Sequence, residues 1–480
     1  MSRPFVGQPI LIAAAIFSGL SLLVEAQSIS PNALKADVSF LASDALEGRG
    51  TPSRGLDIAA EFVASQFRRA ALEPAGDDGY FQTAGFTQVA PVTEGLDLSF
   101  DLAGRRLEPA KGSIAVQDPA PADLKQAPAI KLADPAAIDA LSPDQVRGKV
   151  LIVTALTAPR RIQSSLERLH PALVILFRPA GAPANPNPRL REASAGAVPI
   201  LIVSDPAIPG AIAAAKEVAV SAHIPPPVTT PVKLHNVIGI LRGSDPSLKD
   251  TYLILTAHYD HLGIRGTGEG DHIYNGANDD ASGTASLIEI ANALAAPPQR
   301  PKRSIIFIAL FGEEMGELGS RYYVQHPVFP LAKTVADINL EQLGRTDETD
   351  GPRVGQFNLT GFDYTDMPAI FRKAGEETGI KVVKDVKNSN PYFTRSDNAA
   401  FALAGVPSTT ISVAYAYPDY HGAGDEWPKL DYDNMARVDR TIALAALDFA
   451  NSLEAPRWNA AVPATERFIR AREGAGTSSK

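Results

Sequence analysis

Metal-binding side chains recur in five short stretches of this sequence: HYD at 258–260, NGANDDASG at 275–283, GEE at 312–314, NLE at 339–341 and YHG at 420–422. Two histidines and several carboxylates from separate segments can hold two divalent cations. That donor set points to hydrolysis by metal-activated water. Thiolate chemistry is excluded, because the 480 residues include no cysteine. The same lack excludes disulfides, so a large hydrophobic core has to supply the stability.

The elements that must position these groups are legible as apolar runs. Tyr252 to Thr256 and Ser304 to Phe311 are nearly continuous, as expected for strands covered on both faces. Between them, Ser282 to Ala296 places Leu287, Ile290, Ala291 and Leu294 on one helical stripe, closed by Pro297-Pro298. Val335 to Leu340 is a further strand. Strand–helix alternation from Val237 to about Leu453 predicts an α/β fold with a mainly parallel mixed sheet sandwiched by helices. In such sheets ligands bind outside the carboxyl ends of the strands. His258 and Asp260 follow one predicted strand, Glu313 and Glu314 the next, and Glu341 a third.

Each residue has a plainer role to weigh. His258 alone is a core histidine; with Asp260 beside it, it becomes a metal ligand whose imidazole Asp260 orients. His261 competes for the same role with a smaller share. Asp279 and Asp280 are candidate helix caps. The neighbouring Gly276 and Gly283 also permit close backbone approach, which suits a carboxylate between two cations. Glu313-Glu314 is a common surface dipeptide, yet a dinuclear hydrolase needs one carboxylate on the metal and one free to take a proton. His421 lies in a loop rich in Gly, Pro and aromatics, and supplies the second nitrogen.

The rest of the chain reads as flanking modules. Residues 1–26 have the Arg3 charge, apolar run and small-residue end of a leader cleaved before Gln27, which implies export to a periplasm or the medium. Gly55 to Leu72 is an amphipathic helix, and LEGRGT at 46–51 a turn. Residues 92–232 are Pro- and Ala-rich, with stretches such as APANPNP at 182–188, and carry short β runs at Val150–Val153, Leu173–Phe177 and Ile200–Val203. This predicts a small β-rich inserted module between two parts of one domain, 33–91 and 233–455. Residues 456–480 form a tail expected to fray after Trp458. A formal charge of −9 argues against nucleic acid or anionic membrane as partners.

HYDH, GANDDASG, FGEEMGELGS, NLEQLGR, RSDNAAF and YHG together resemble the zinc aminopeptidase family that includes bacterial leucyl aminopeptidases. Glutamate carboxypeptidase II, transferrin receptor and glutaminyl cyclase are more distant members. RGKVLIVTA at 147–155 and AVPILIVSD at 197–205 resemble a protease-associated domain. The resemblance implies two Zn²⁺ per chain and peptide substrates. It implies His258, Asp279, Glu314, Glu341 and His421 as metal ligands, with Asp279 the bridge. Glu313 is then the general base, Asp260 the partner of His258, and Tyr392 a donor to the oxyanion. A cis peptide between Asp279 and Asp280 is implied as well. Many members carry Asp where this chain has Glu341, and the longer arm can shift the second metal. An aminopeptidase is the leading expectation. A glutaminyl-cyclase-like transferase, a carboxypeptidase using Arg395, and a non-catalytic receptor-like protein are the alternatives.

Overall fold

The structure is a computed structural model that describes residues 29–154, 165–166, 168–179, 189–192 and 197–477. The leader at 1–26 and the APANPNP stretch at 182–188 lie outside the described residues. The chain divides into two compact units, Met1–Ala84 with Leu234–Lys480, and Gly85–Lys233.

In the first unit the helices are α1 (Pro31–Leu41), α2 (Arg54–Arg69), α3 (Gly283–Ala295), α4 (Leu318–Gln325), α5 (Met367–Thr378), α6 (Asn398–Leu403), α7 (Tyr432–Asn451) and α8 (Glu466–Thr477). The strands that carry the site are β1 (Val228–Leu241), β2 (Tyr252–His258), β3 (Ser304–Leu310), β4 (Thr334–Leu340), β5 (Gln356–Leu359), β6 (Lys381–Val383) and β7 (Ser408–Ser412). They lie side by side in the order β6-β5-β7-β4-β2-β3-β1. The pairs β2–β3, β2–β4 and β4–β7 are parallel, while β1–β3 and β5–β7 are antiparallel. The carboxyl ends of β2, β3, β4 and β7 therefore share one edge.

Every residue of β2, β3 and β4 is buried, which explains their unbroken apolar composition. Successive side chains alternate between the two faces. Ile254, Ile306, Ile308 and Leu310 form one cluster with Tyr323 of α4 and Phe401 of α6. Against β2 on the other face packs α3, which in turn meets α2 and α7. Being covered by sheet and helices, α3 buries nearly all its residues rather than one stripe.

The second unit is built on an 8-stranded sheet. Its central strands Ala122–Leu132, Val150–Val153, Leu173–Phe177 and Ile200–Val203 are parallel. Alternation splits their side chains into two cores: Val150 and Ile152 in one, Leu151 and Val153 in the other.

One expectation fails. The segment after Trp458 does not fray: it forms α8, and Phe468 is fully buried against Phe393 and Trp458, whose ring it stacks on at 4.8 Å. Burial against Trp458 and the distant Phe393 outweighs the weak helical signal of the segment itself. Among the described residues no helix is long and apolar enough to cross a membrane.

Candidate metal centre

His258 is the last residue of β2 and sits in register with Leu310 at the end of β3. Glu313 and Glu314 lie in the turn just beyond β3, and Glu341 directly follows β4. The loop after β7 carries His421, and Asp279 precedes α3. Side chains from five segments thus meet at one sheet edge.

Asp279 is the centre of the cluster. One carboxylate oxygen, Oδ1, lies 3.3 Å from His258 Nε2, and the other, Oδ2, lies 3.2 Å from His421 Nε2. His258, Asp279 and Glu341 each bring a donor atom to within 4.8 Å of the other two. His261, Asp279 and Glu314 do the same. His421 Nε2 is also 3.4 Å from Glu314 Oε1. The structure therefore brings together all five carboxylate and imidazole groups implied as ligands, and adds His261. The HYDH spacing makes both histidines candidates, but spacing alone does not say that both rings turn toward the acids.

Glu313 is placed by its backbone, whose N–H donates to Asp260 Oδ1 at 3.0 Å. Thr51 donates to the other oxygen of Asp260 at 3.1 Å. His258 Nδ1 faces the main-chain carbonyl of Asp260 at 3.2 Å and its carboxylate only at 3.6 Å. Asp260 thus holds the Glu313 turn as much as the imidazole. The Tyr392 ring packs on Tyr415 at 4.9 Å under the Arg395 guanidinium. Among the described residues its hydroxyl makes no hydrogen bond to the carboxylate cluster.

The loop around Asp279 is locked by Asp280, read above as a helix cap, and by Asp425 and Asn278, which the sequence did not single out. Asp425 accepts from the N–H of Asn278 and of Asp279 at 3.1 Å, and from the Tyr417 hydroxyl at 3.0 Å. Asn278 Oδ1 accepts from the N–H of Gly344 and Arg345, both at 2.8 Å. Asp280 Oδ1 accepts from Gly283 and Gln342, each at 3.0 Å. Asp280 therefore ties the loop to the start of α3 and to the chain after β4. The Asp279–Asp280 peptide is cis.

Beneath the cluster lies Arg49, fully buried in the segment read as a simple turn. Its guanidinium donates to the carbonyls of Tyr259, Asn275, Gly276 and Leu41. Burial lowers its pKa, but the surrounding Asp260, Asp280, Asp425 and Asp279 limit the fall to about 10. It stays charged at neutral pH.

The acids outnumber these cations. Burial, with Glu314, Glu341 and Asp397 nearby, pushes the Glu313 carboxyl well above its usual range despite His258. Burial and Asp279 raise Glu341 to about 7, against the opposing pull of His258. Burial would raise Asp279 too, but contact with the His258 and His421 rings outweighs it and holds that carboxylate well below the ordinary range. Glu314 is held down at about 2, since His261 and His421 outweigh burial and Asp279. Buried carboxylates at this density need bound positive charge. His258 Nε2, both nitrogens of His261 and Glu314 Oε1 are buried without a hydrogen-bond partner. Imidazole and carboxylate donors left unpaired in this way suit zinc.

Residues 236–446 match the sequence model of peptidase family M28. That stretch, which holds every group of the cluster described above, is similar to the M28 peptidases. Within the curated relatives, a probable zinc metalloprotease of Leptosphaeria maculans is 38% identical over 202 residues, covering 42% of this chain and 44% of that protein. Aminopeptidase YwaD of Bacillus subtilis is 34% identical over 230 residues, covering 46% of each. The chain spans between 25% and 56% of the length of such relatives. The fold of the chain resembles that of an aminopeptidase from Aneurinibacillus sp. strain AM-1, with a TM-score of 0.59 at 16% identity, over 91% of this chain and 96% of that one.

Proposed function

We propose that this protein is an exported two-zinc aminopeptidase that hydrolyses the peptide bond next to a free amino terminus. The observation that carries the reading is Asp279, whose two oxygens face two different imidazoles at 3.3 and 3.2 Å, as a carboxylate shared by two cations does. His258, Asp279 and Glu341 would hold one cation, and Asp279, Glu314 and His421 the other. Bound zinc supplies Lewis acidity, lowering the pKa of a water from about 16 toward 7 and drawing charge from a carbonyl oxygen.

The chain's own groups do the rest. Glu313, next in sequence to a ligand but with its backbone fixed on Asp260, takes the proton from water and delivers it to the leaving amine. Asp260 fixes that turn and the His258 ring together. Tyr392, its ring fixed by Tyr415 and Arg395, is assigned to the oxyanion. Residues 1–26 act as the export leader, and the Gly85–Lys233 unit is a protease-associated-like module.

A panel of amino-acid nitroanilides tests this reading. Hydrolysis is expected, with loss on chelation and recovery on adding zinc. Indifference to chelation contradicts the metal mechanism, and turnover confined to amino-terminally blocked substrates contradicts the aminopeptidase assignment.

A further inference from the structure

We propose that His261 is a fourth protein ligand of the second cation position, beside Asp279, Glu314 and His421. The proposal rests on the two-cation reading and makes the two positions unlike one another.

His261 is 1% exposed, and neither of its ring nitrogens has a hydrogen-bond partner. Nδ1 nevertheless lies 2.9 Å from Glu314 Oε1, an atom that is itself buried and unpartnered. The two atoms are thus in close contact while neither is otherwise engaged. They lie side by side, as adjacent ligands of one ion do. Zinc bonds of about 2.0–2.1 Å at tetrahedral angles set neighbouring donors about 3.3 Å apart. The donor separations here are 2.9 Å for His261–Glu314, 3.4 Å for His421–Glu314 and 3.2 Å for His421–Asp279.

The fold also reserves space for this ring. Gly276 has φ +57, and a Cβ there would fall 2.3 Å from His261 Cγ. The two imidazoles meet edge-on, with centroids 5.8 Å apart. They differ in how firmly they are held. His261 is enclosed, whereas the His421 side chain is 38% exposed on the loop after β7.

Protein donors therefore number three at one position (His258, Asp279, Glu341) and four at the other. Three leave a place for water and substrate, as catalytic zinc sites do, while four fill a tetrahedral shell. The second cation is then the more tightly held, and the first is the one a chelator removes first.

Cobalt and zinc titrations of the metal-free full chain, followed by calorimetry and visible absorption, test the proposal. The wild type should bind two equivalents in two classes, the tighter showing the strong absorption of four-coordinate cobalt. His261→Ala should weaken the tighter class at least 100-fold, lose that absorption and leave the weaker class unchanged. His261→Gln should behave in the same way if the smaller side chain perturbs folding, which circular dichroism reports. His421→Ala should keep more of the tight binding than His261→Ala. A folded His261 variant that binds both equivalents with wild-type affinity and spectrum overturns the proposal while leaving the two-cation reading intact. A wild type that binds a single equivalent instead overturns that reading itself, and the proposal with it.

Discussion

Replacing Arg49 by methionine should unfold the first unit more easily, and the size of the effect follows from its partners. The guanidinium satisfies four main-chain carbonyls from three segments: Leu41, Tyr259, and Asn275 with Gly276. Each buried acceptor left without a donor costs about 1–3 kcal/mol. Taking the low end for all four, because some relaxation and water entry follow, gives about 4 kcal/mol. That agrees with about 3–5 kcal/mol for breaking a buried charged pairing by removing one partner. Arg49→Lys keeps the charge but not the planar fork, and should lose about half as much. Urea unfolding in chelator measures both without the contribution of bound metal. Trp427 and Trp458, the only tryptophans, both lie in the first unit, so their fluorescence reports its unfolding alone. A methionine variant within about 0.5 kcal/mol of wild type, the range of ordinary surface substitutions, would refute the reasoning.

Three further outcomes are expected. Glu313→Gln should lower kcat by about 10²–10⁴ while zinc content by mass spectrometry stays unchanged; retained turnover removes Glu313 as the base. Tyr392→Phe should reduce kcat at least tenfold with little change in KM if the hydroxyl reaches the oxyanion; an unaltered kcat withdraws that role. Asp37 in α1 is raised to about 7 by burial and by Glu289, with Arg69 opposing. Its folded form keeps a proton that the unfolded chain releases near pH 4, so stability falls as pH rises from about 4 to 7 and is level above. Asp37→Asn cannot ionise and should gain about 2–3 kcal/mol more relative to wild type at pH 8 than at pH 5. Equal urea midpoint shifts at the two pH values would contradict the burial argument.

The fold was legible where burial on two faces leaves a compositional mark. The runs 252–256 and 304–311 read as strands because β2 and β3 are buried throughout. Their ends then indicated where chemistry could gather. The helix before Pro297-Pro298 was equally plain, its start shifted by one residue, from Ser282 to Gly283. What stayed hidden depends on partners distant in sequence. Arg49 sits in a glycine-rich turn, and three of its four carbonyl partners lie 210 to 227 residues away. Nothing local marks Asp425 either, although it anchors the Asp279 loop from 146 residues on. His261 was ranked below His258 because spacing cannot say that two nearby rings face the same acids. The helix α8 packs Phe468 on Trp458 of its own segment and on the distant Phe393, and no local pattern reveals the second contact.

Anomalous diffraction from a zinc-loaded crystal, recorded on either side of the zinc absorption edge, tests the central claim most directly. Two peaks are expected on either side of Asp279, one bounded by His258 and Glu341, the other by Glu314, His421 and His261. A single peak, or zinc held away from Asp279, would contradict the account.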